Sequence, residues 1–117
     1  MSLLDDLQQF TGTVDYHRHP MYRFLMYTDG VRHFFRHAGG GGYWLLDLIA
    51  SEPKIRIQAK EFASIKLKVT GSKALLTVND GNDGPNVYER HIEYTDCPEG
   101  EYLFYWIGEV CMLAREY

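Results

Sequence analysis

Tyr43-Trp44-Leu45-Leu46-Asp47-Leu48-Ile49-Ala50 follows four glycines, Gly39 to Gly42, and stops short of Pro53. The stretch reads as a helix that is apolar on nearly every side and carries one carboxylate. Such a helix is stable only when protein covers most of its surface. The cover must come from the later half of the chain, where the apolar period changes from helical to two. Ala63, Ile65, Leu67 and Val69 alternate with Ser64, Lys66, Lys68 and Thr70, the pattern of a half-buried strand. Gly71-Ser72-Lys73 turns into Ala74, Leu76 and Val78, and Asn79 to Pro85 is a dense loop signal. Tyr88, Ile92 and Tyr94 mark a third strand. Tyr102 to Ile107 and Val110 to Leu113 form a hairpin about Gly108-Glu109. The fold class is α+β: two or three short helices packed on one face of a four- to five-stranded antiparallel meander sheet.

Upstream, Thr28 is placed to cap a helix with Asp29 in its first turn. Val31, Phe34, Phe35 and Ala38 share one face of that helix, and Arg32, His33, Arg36 and His37 the other. The glycine run ends it, since glycine accepts a left-handed cap. Ser2 opens an earlier helix with Leu3, Leu4 and Leu7 on one side, and the turn at Phe10 to Thr13 closes it. Tyr22 to Met26 is read as a short strand. The second helix runs from Tyr43 to Ser51 and ends before Pro53. The expected core comprises Leu7, Phe10, Phe34, Phe35, Trp44, Leu45, Leu48, Ile49, Ile65, Leu67, Val69, Leu76, Val78, Ile92, Leu103 and Val110. One domain spans residues 1–117, helical over about 1–60 and sheet over about 61–117.

The charge is unevenly distributed. Residues 1–60 carry seven Lys/Arg against six Asp/Glu, and residues 61–117 five against ten. An acidic sheet half disfavours a nucleic-acid partner. Two cysteines, Cys97 and Cys111, make no disulfide framework and point to a reducing cytoplasm. No cationic start with an apolar run suggests a signal peptide, and no apolar run approaches a membrane span of roughly 18 residues.

Candidate chemistry is sparse. Asp47 inside an apolar run would need a partner if buried, which makes it, with Tyr27 and Tyr43, a candidate ligand-binding group between helix and sheet. Arg32 and Arg36 could hold an anion. His33 and His37 have the i, i+4 spacing of a metal pair, as His17 and His19 have an extended-chain spacing, but no Cys or carboxylate stands at a fixed offset to complete a set. The glycine run lacks the flanking pattern of a phosphate loop. No residues assemble a catalytic set, and no cofactor is implied. Tyr102, Phe104 and Trp106 lie on one face of a strand whose other face, Leu103, Tyr105 and Ile107, is also apolar. One of these faces is therefore an interface or both are covered, and Tyr102, Phe104 and Trp106 are assigned to the interface.

Leu7-Gln8-Gln9-Phe10-Thr11-Gly12-Thr13, His19-Pro20, Tyr27-Thr28-Asp29-Gly30-Val31, Tyr43 to Ser51 and Glu93-Tyr94-Thr95-Asp96 together resemble a family of small bacterial and phage proteins known only as a domain of unknown function. The resemblance implies a free-standing domain without assigned activity, often carried on mobile DNA such as phages, plasmids or integron gene cassettes. It supplies no catalytic residues. The expected function is a non-enzymatic accessory or protein–protein interaction module of a mobile element, contacting a partner protein or a second copy of itself. The alternatives are a small-molecule binder or enzyme with a site near Asp47, and an acidic inhibitor of host defence.

Overall fold

The period-two half of the chain folds as its alternation requires. In the computed structural model, which describes residues 3, 7, 8, 15–39, 42–82 and 84–117, β3 (Ala63–Thr70) and β4 (Lys73–Asn79) pair antiparallel with Leu67 opposite Leu76. Strand β5 (Tyr88–Ile92) continues this side, while β6 (Gly100–Ile107) and β7 (Val110–Leu113) form the closing hairpin. Ahead of them lie β1 (Tyr16–Arg18) and β2 (Met26–Thr28), then α1 (Asp29–His37), α2 (Gly42–Ser51) and α3 (Pro53–Ala59). The expected helix from Ser2, the turn at Phe10 to Thr13 and the middle of the glycine run lie outside the described residues. Leu3 and Leu7 are described and buried.

The sheet corrects the expected meander. Among the described residues it has seven strands in the order β1-β2-β7-β6-β3-β4-β5, and β2 runs parallel to β7. Strands β1 and β2 have three residues each, too short for a period to show in sequence. Residues Tyr22 to Leu25, expected as strand, instead turn the chain between them. Strand β6 does not follow β5 across the sheet; it returns beside β3, giving the Greek-key arrangement. The Thr95 N–H donates to the Ser72 carbonyl at 2.7 Å and pins the β5–β6 loop over the end of the β3–β4 turn, which carries the chain round to β6. Helix α3 was also missed. Pro53 does not merely follow a helix but starts one, its missing N–H costing nothing in the first turn.

Alternation gives the sheet two unlike faces. Ile65, Leu67, Val69, Leu76, Val78, Tyr102, Phe104 and Trp106 point to the helices and are buried. Leu75, Leu103, Tyr105, Ile107, Val110 and Met112 point the other way and are half-buried. Helix α1 seats its paired phenylalanines on β6: Phe34 lies 4.8 Å from Tyr102 and 4.9 Å from Phe104 between ring centres, and Phe35 stacks on Phe104 at 5.9 Å. Thr28 caps α1 as expected, accepting the Val31 N–H at 3.3 Å. Glu116, in the 3-10 turn Ala114–Glu116, adds a second cap from the other end of the chain. Its carboxylate accepts from the Thr28 hydroxyl at 2.6 Å, the Leu113 N–H at 2.9 Å and the Gly30 N–H at 3.4 Å. A negative charge at a helix N-terminus is favourable. Gly30 leaves room for it: a Cβ there would fall 2.5 Å from the Glu116 Oε1 and push the carboxylate off the cap.

Several core expectations need correction. Trp44 is 50% exposed. With Leu45, Leu46, Ile49 and Ala50 turned inward, the 100° step of a helix leaves Trp44 on its flank. Leu48, Ile92, Leu103 and Val110 are half-buried. Phe10 lies outside the described residues.

Candidate functional site

Asp47 is the carboxylate that the apolar helix carries, and its partner is a histidine that sequence alone did not pair with it. His19 is buried at 3% exposure, and its Nε2 lies 2.6 Å from the Asp47 Oδ1. Its Nδ1 accepts the N–H groups of Met21 at 3.1 Å and Tyr22 at 3.0 Å. An acceptor at Nδ1 fixes the neutral ring's proton on Nε2, which therefore donates to Asp47. A catalytic His–Asp pair needs the nitrogen opposite the carboxylate free to take a proton. Here that nitrogen is occupied by two backbone donors. The pair acts as a clamp, tying the β1–β2 turn at Pro20 to α2.

The other sequence candidates fall into separate places. Tyr27 on β2 is buried, and burial pushes its phenol up. Tyr43 adds to that rise while Arg32 and Arg36 oppose it. Tyr43, Arg32 and Arg36 are thus the three ionisable side chains that act on this phenol. Arg32 and Arg36 line a shallow groove along α1 with Asp29, His33 and His37. Asp29 is held 2.9 Å from the His17 Nε2. The His33 and His37 rings stack at 4.2 Å, and the His37 Nδ1 donates to the His33 carbonyl at 2.8 Å. Among the described residues no three His, Cys, Asp or Glu side chains are grouped to hold a metal ion. Tyr102, Phe104 and Trp106 face the helices and are buried, so within this fold they are core. The apolar residues that β6 turns outward are Leu103, Tyr105 and Ile107, and Tyr105 forms an aromatic trio with Phe62 and Tyr117.

The concave feature of the helix–sheet seam lies away from Asp47. A cavity of about 210 Å³ opens between α2 and β3–β5, with Leu45, Leu67, Ala74 and Ile92 as walls and Thr95, Asp96 and Cys97 closing one end. Trp44 and Tyr94, 50% and 73% exposed, stand at its mouth. They also border a second groove, about 420 Å³, that follows the chain from Arg90 to Tyr94. The Arg90 guanidinium lies 5.5 Å from the Trp44 ring centre. Gly39 shapes the same end of the seam. Gly39 has φ +93°, and a Cβ on it would fall 2.1 Å from the Asp96 Oδ1, so both backbone and space demand glycine. The cavity offers shape and apolar surface. Burial pushes the Cys97 thiol up to about 11, with the nearby Asp96 charge adding and a Tyr102 hydrogen bond opposing, so at neutral pH it is a protonated thiol. Sequence reading missed this site because Trp44 was assigned to the core. The available signal was β5 itself, whose Glu89, Arg90 and His91 suit an edge strand.

The chain belongs to a family of unknown function, DUF6876, whose model it matches over residues 1–117. No curated protein and no solved structure gives a significant match. Among the described residues no helix is long and apolar enough to cross a membrane.

Two predictions follow from this geometry. Asp47→Ala strands the buried Nε2–H of His19 and should destabilise the fold by about 1–3 kcal/mol. Asp47→Asn keeps an acceptor and should cost clearly less. Urea denaturation of the three proteins decides it, and equal loss in both variants would mean that the hydrogen bond is not the clamp. The second concerns alkali. The Cys97 thiol is raised in the folded chain, from about 9 to about 11, so the folded state holds its proton where the unfolded state has lost it. Stability from this group is complete below pH 9 and should fall as pH rises towards 11. Cys97→Ala should flatten that fall in urea midpoints measured across the window; an unchanged slope contradicts it.

Proposed function

We propose that this protein is a non-enzymatic binding module whose site is the cavity between α2 and β5. The observation that carries the reading is an apolar cavity at the open edge of the sheet with two large aromatic side chains exposed at its mouth. Single exposed aromatics are ordinary, but paired ones flanking a hollow resemble binding surfaces. Its volume exceeds the ~150 Å³ cavity that accepts benzene in an engineered protein. Small aromatic fragments test it. Titrating indole into the labelled protein should shift amide resonances of Ile92 to Cys97 and of α2's first turn, with affinity on the order of millimolar. Ala74→Leu, which partly fills the cavity, should abolish those shifts. Shifts scattered over the surface would end this reading.

The partner class that fits an accessory role is a protein. Two free thiols suit a reducing compartment, and the motif resemblance supports carriage on a mobile element. A second reading, self-association, is favoured by the outer sheet face, where Leu103, Tyr105, Ile107, Val110 and Met112 make a contiguous apolar band. Sedimentation velocity at micromolar concentration should then show a dimer that Tyr105→Asp converts to monomer, and a monomer at all concentrations removes it.

A further inference from the structure

The groove beside β5 has features that a small apolar ligand would not use. Strand β5 ends the sheet order, so among the described residues no strand pairs with its outer edge. On such an edge, alternate residues turn N–H and C=O groups outward and offer a template for another strand. Arg90, His91 and Ile92 of β5 line the groove with Trp44, and Glu93 and Tyr94 carry it past the end of the strand. Arg90 pairs with Leu76 and Ile92 with Ala74, both on the face turned towards the helices, and the cavity lies against Ile92. Residues two apart on an added strand would face these same two positions.

We propose that α2 and β5 form a peptide-binding cleft. An extended segment of a partner protein adds to β5 as a further strand. It places one bulky apolar side chain in the cavity beside Trp44 and a carboxylate, two residues away, against Arg90. Main-chain hydrogen bonds along the edge supply affinity and the cavity supplies selectivity. The carboxylate follows from charge: Arg90 lines the groove on the same face as Ile92, its guanidinium 5.5 Å from the Trp44 ring centre. A second copy of β5, paired with itself about Arg90, would set two guanidiniums opposite each other, an unfavourable cross-strand pair. The proposal rests on the cavity being a binding site and goes beyond it in naming the occupant.

Selection of phage-displayed random linear peptides on the immobilised full chain tests it. Enriched peptides should share a bulky apolar residue two positions from Asp or Glu. Synthetic copies should lose about tenfold in affinity when alternate backbone amides are N-methylated, a change made on the peptide that leaves the protein's folding untouched. Trp44→Ala should weaken every selected peptide, and Arg90→Glu should erase the preference for the acidic residue. Trp44-dependent binding indifferent to N-methylation overturns strand addition while leaving the cavity as a binding site. Failure to enrich any peptide, with indole still binding, does the same. Peptides indifferent to Trp44→Ala, together with absent indole shifts, overturn both. A dimer that the selected peptides dissociate assigns the edge to a second copy and also overturns the proposal.

Discussion

The contact between α1 and β6 organises this molecule. Phe34 and Phe35 are consecutive, yet both are buried, because one leans on Tyr102 and Phe104 while the other stacks flat on Phe104. That contact requires β6 to turn Tyr102, Phe104 and Trp106 towards the helices. Once their direction is set, the two-residue period sends Leu103, Tyr105 and Ile107 to the other side. The division of the sheet into a packed face and an open apolar band follows from this one docking. So does the position of α2, which continues from α1 through the glycines and covers the β3–β5 side.

Much of this was written plainly in the chain. The alternation from Ala63 to Thr70 fixed which residues face inward, and Thr28 with Asp29 announced the start of α1. Gly39 as the stop after α1 and the Gly108-Glu109 turn were equally readable. What failed to show were features decided by distant residues. Strands of three residues contain too little pattern, and the parallel partner of β2 lies more than eighty residues along the chain. The return of β6 to β3 joins strands thirty residues apart, and the loop contact beside it, Thr95 to Ser72, is equally non-local. Trp44 misled because composition cannot say which flank of a short apolar helix overhangs the sheet.

The same distinction governs the site. Asp47 was visible as an anomaly, and the structure explains it without chemistry: a buried imidazole needed an acceptor, and α2 supplied one. The cavity was not visible, since its walls come from α2, three strands and the β5–β6 loop. None of these residues is unusual in its own segment. Only their meeting produces a hollow with aromatic lips and a Cys97 thiol, raised by burial, at its end.

Glu116 has a consequence for how the chain is made. The hydroxyl of Thr28 and the carboxylate it donates to are 88 residues apart. When a ribosome has delivered α1, neither the carboxylate for its first turn nor the parallel neighbour of β2 yet exists. The first turn of α1 and the parallel pairing of β2 therefore wait on residues 110–116, made more than eighty residues later.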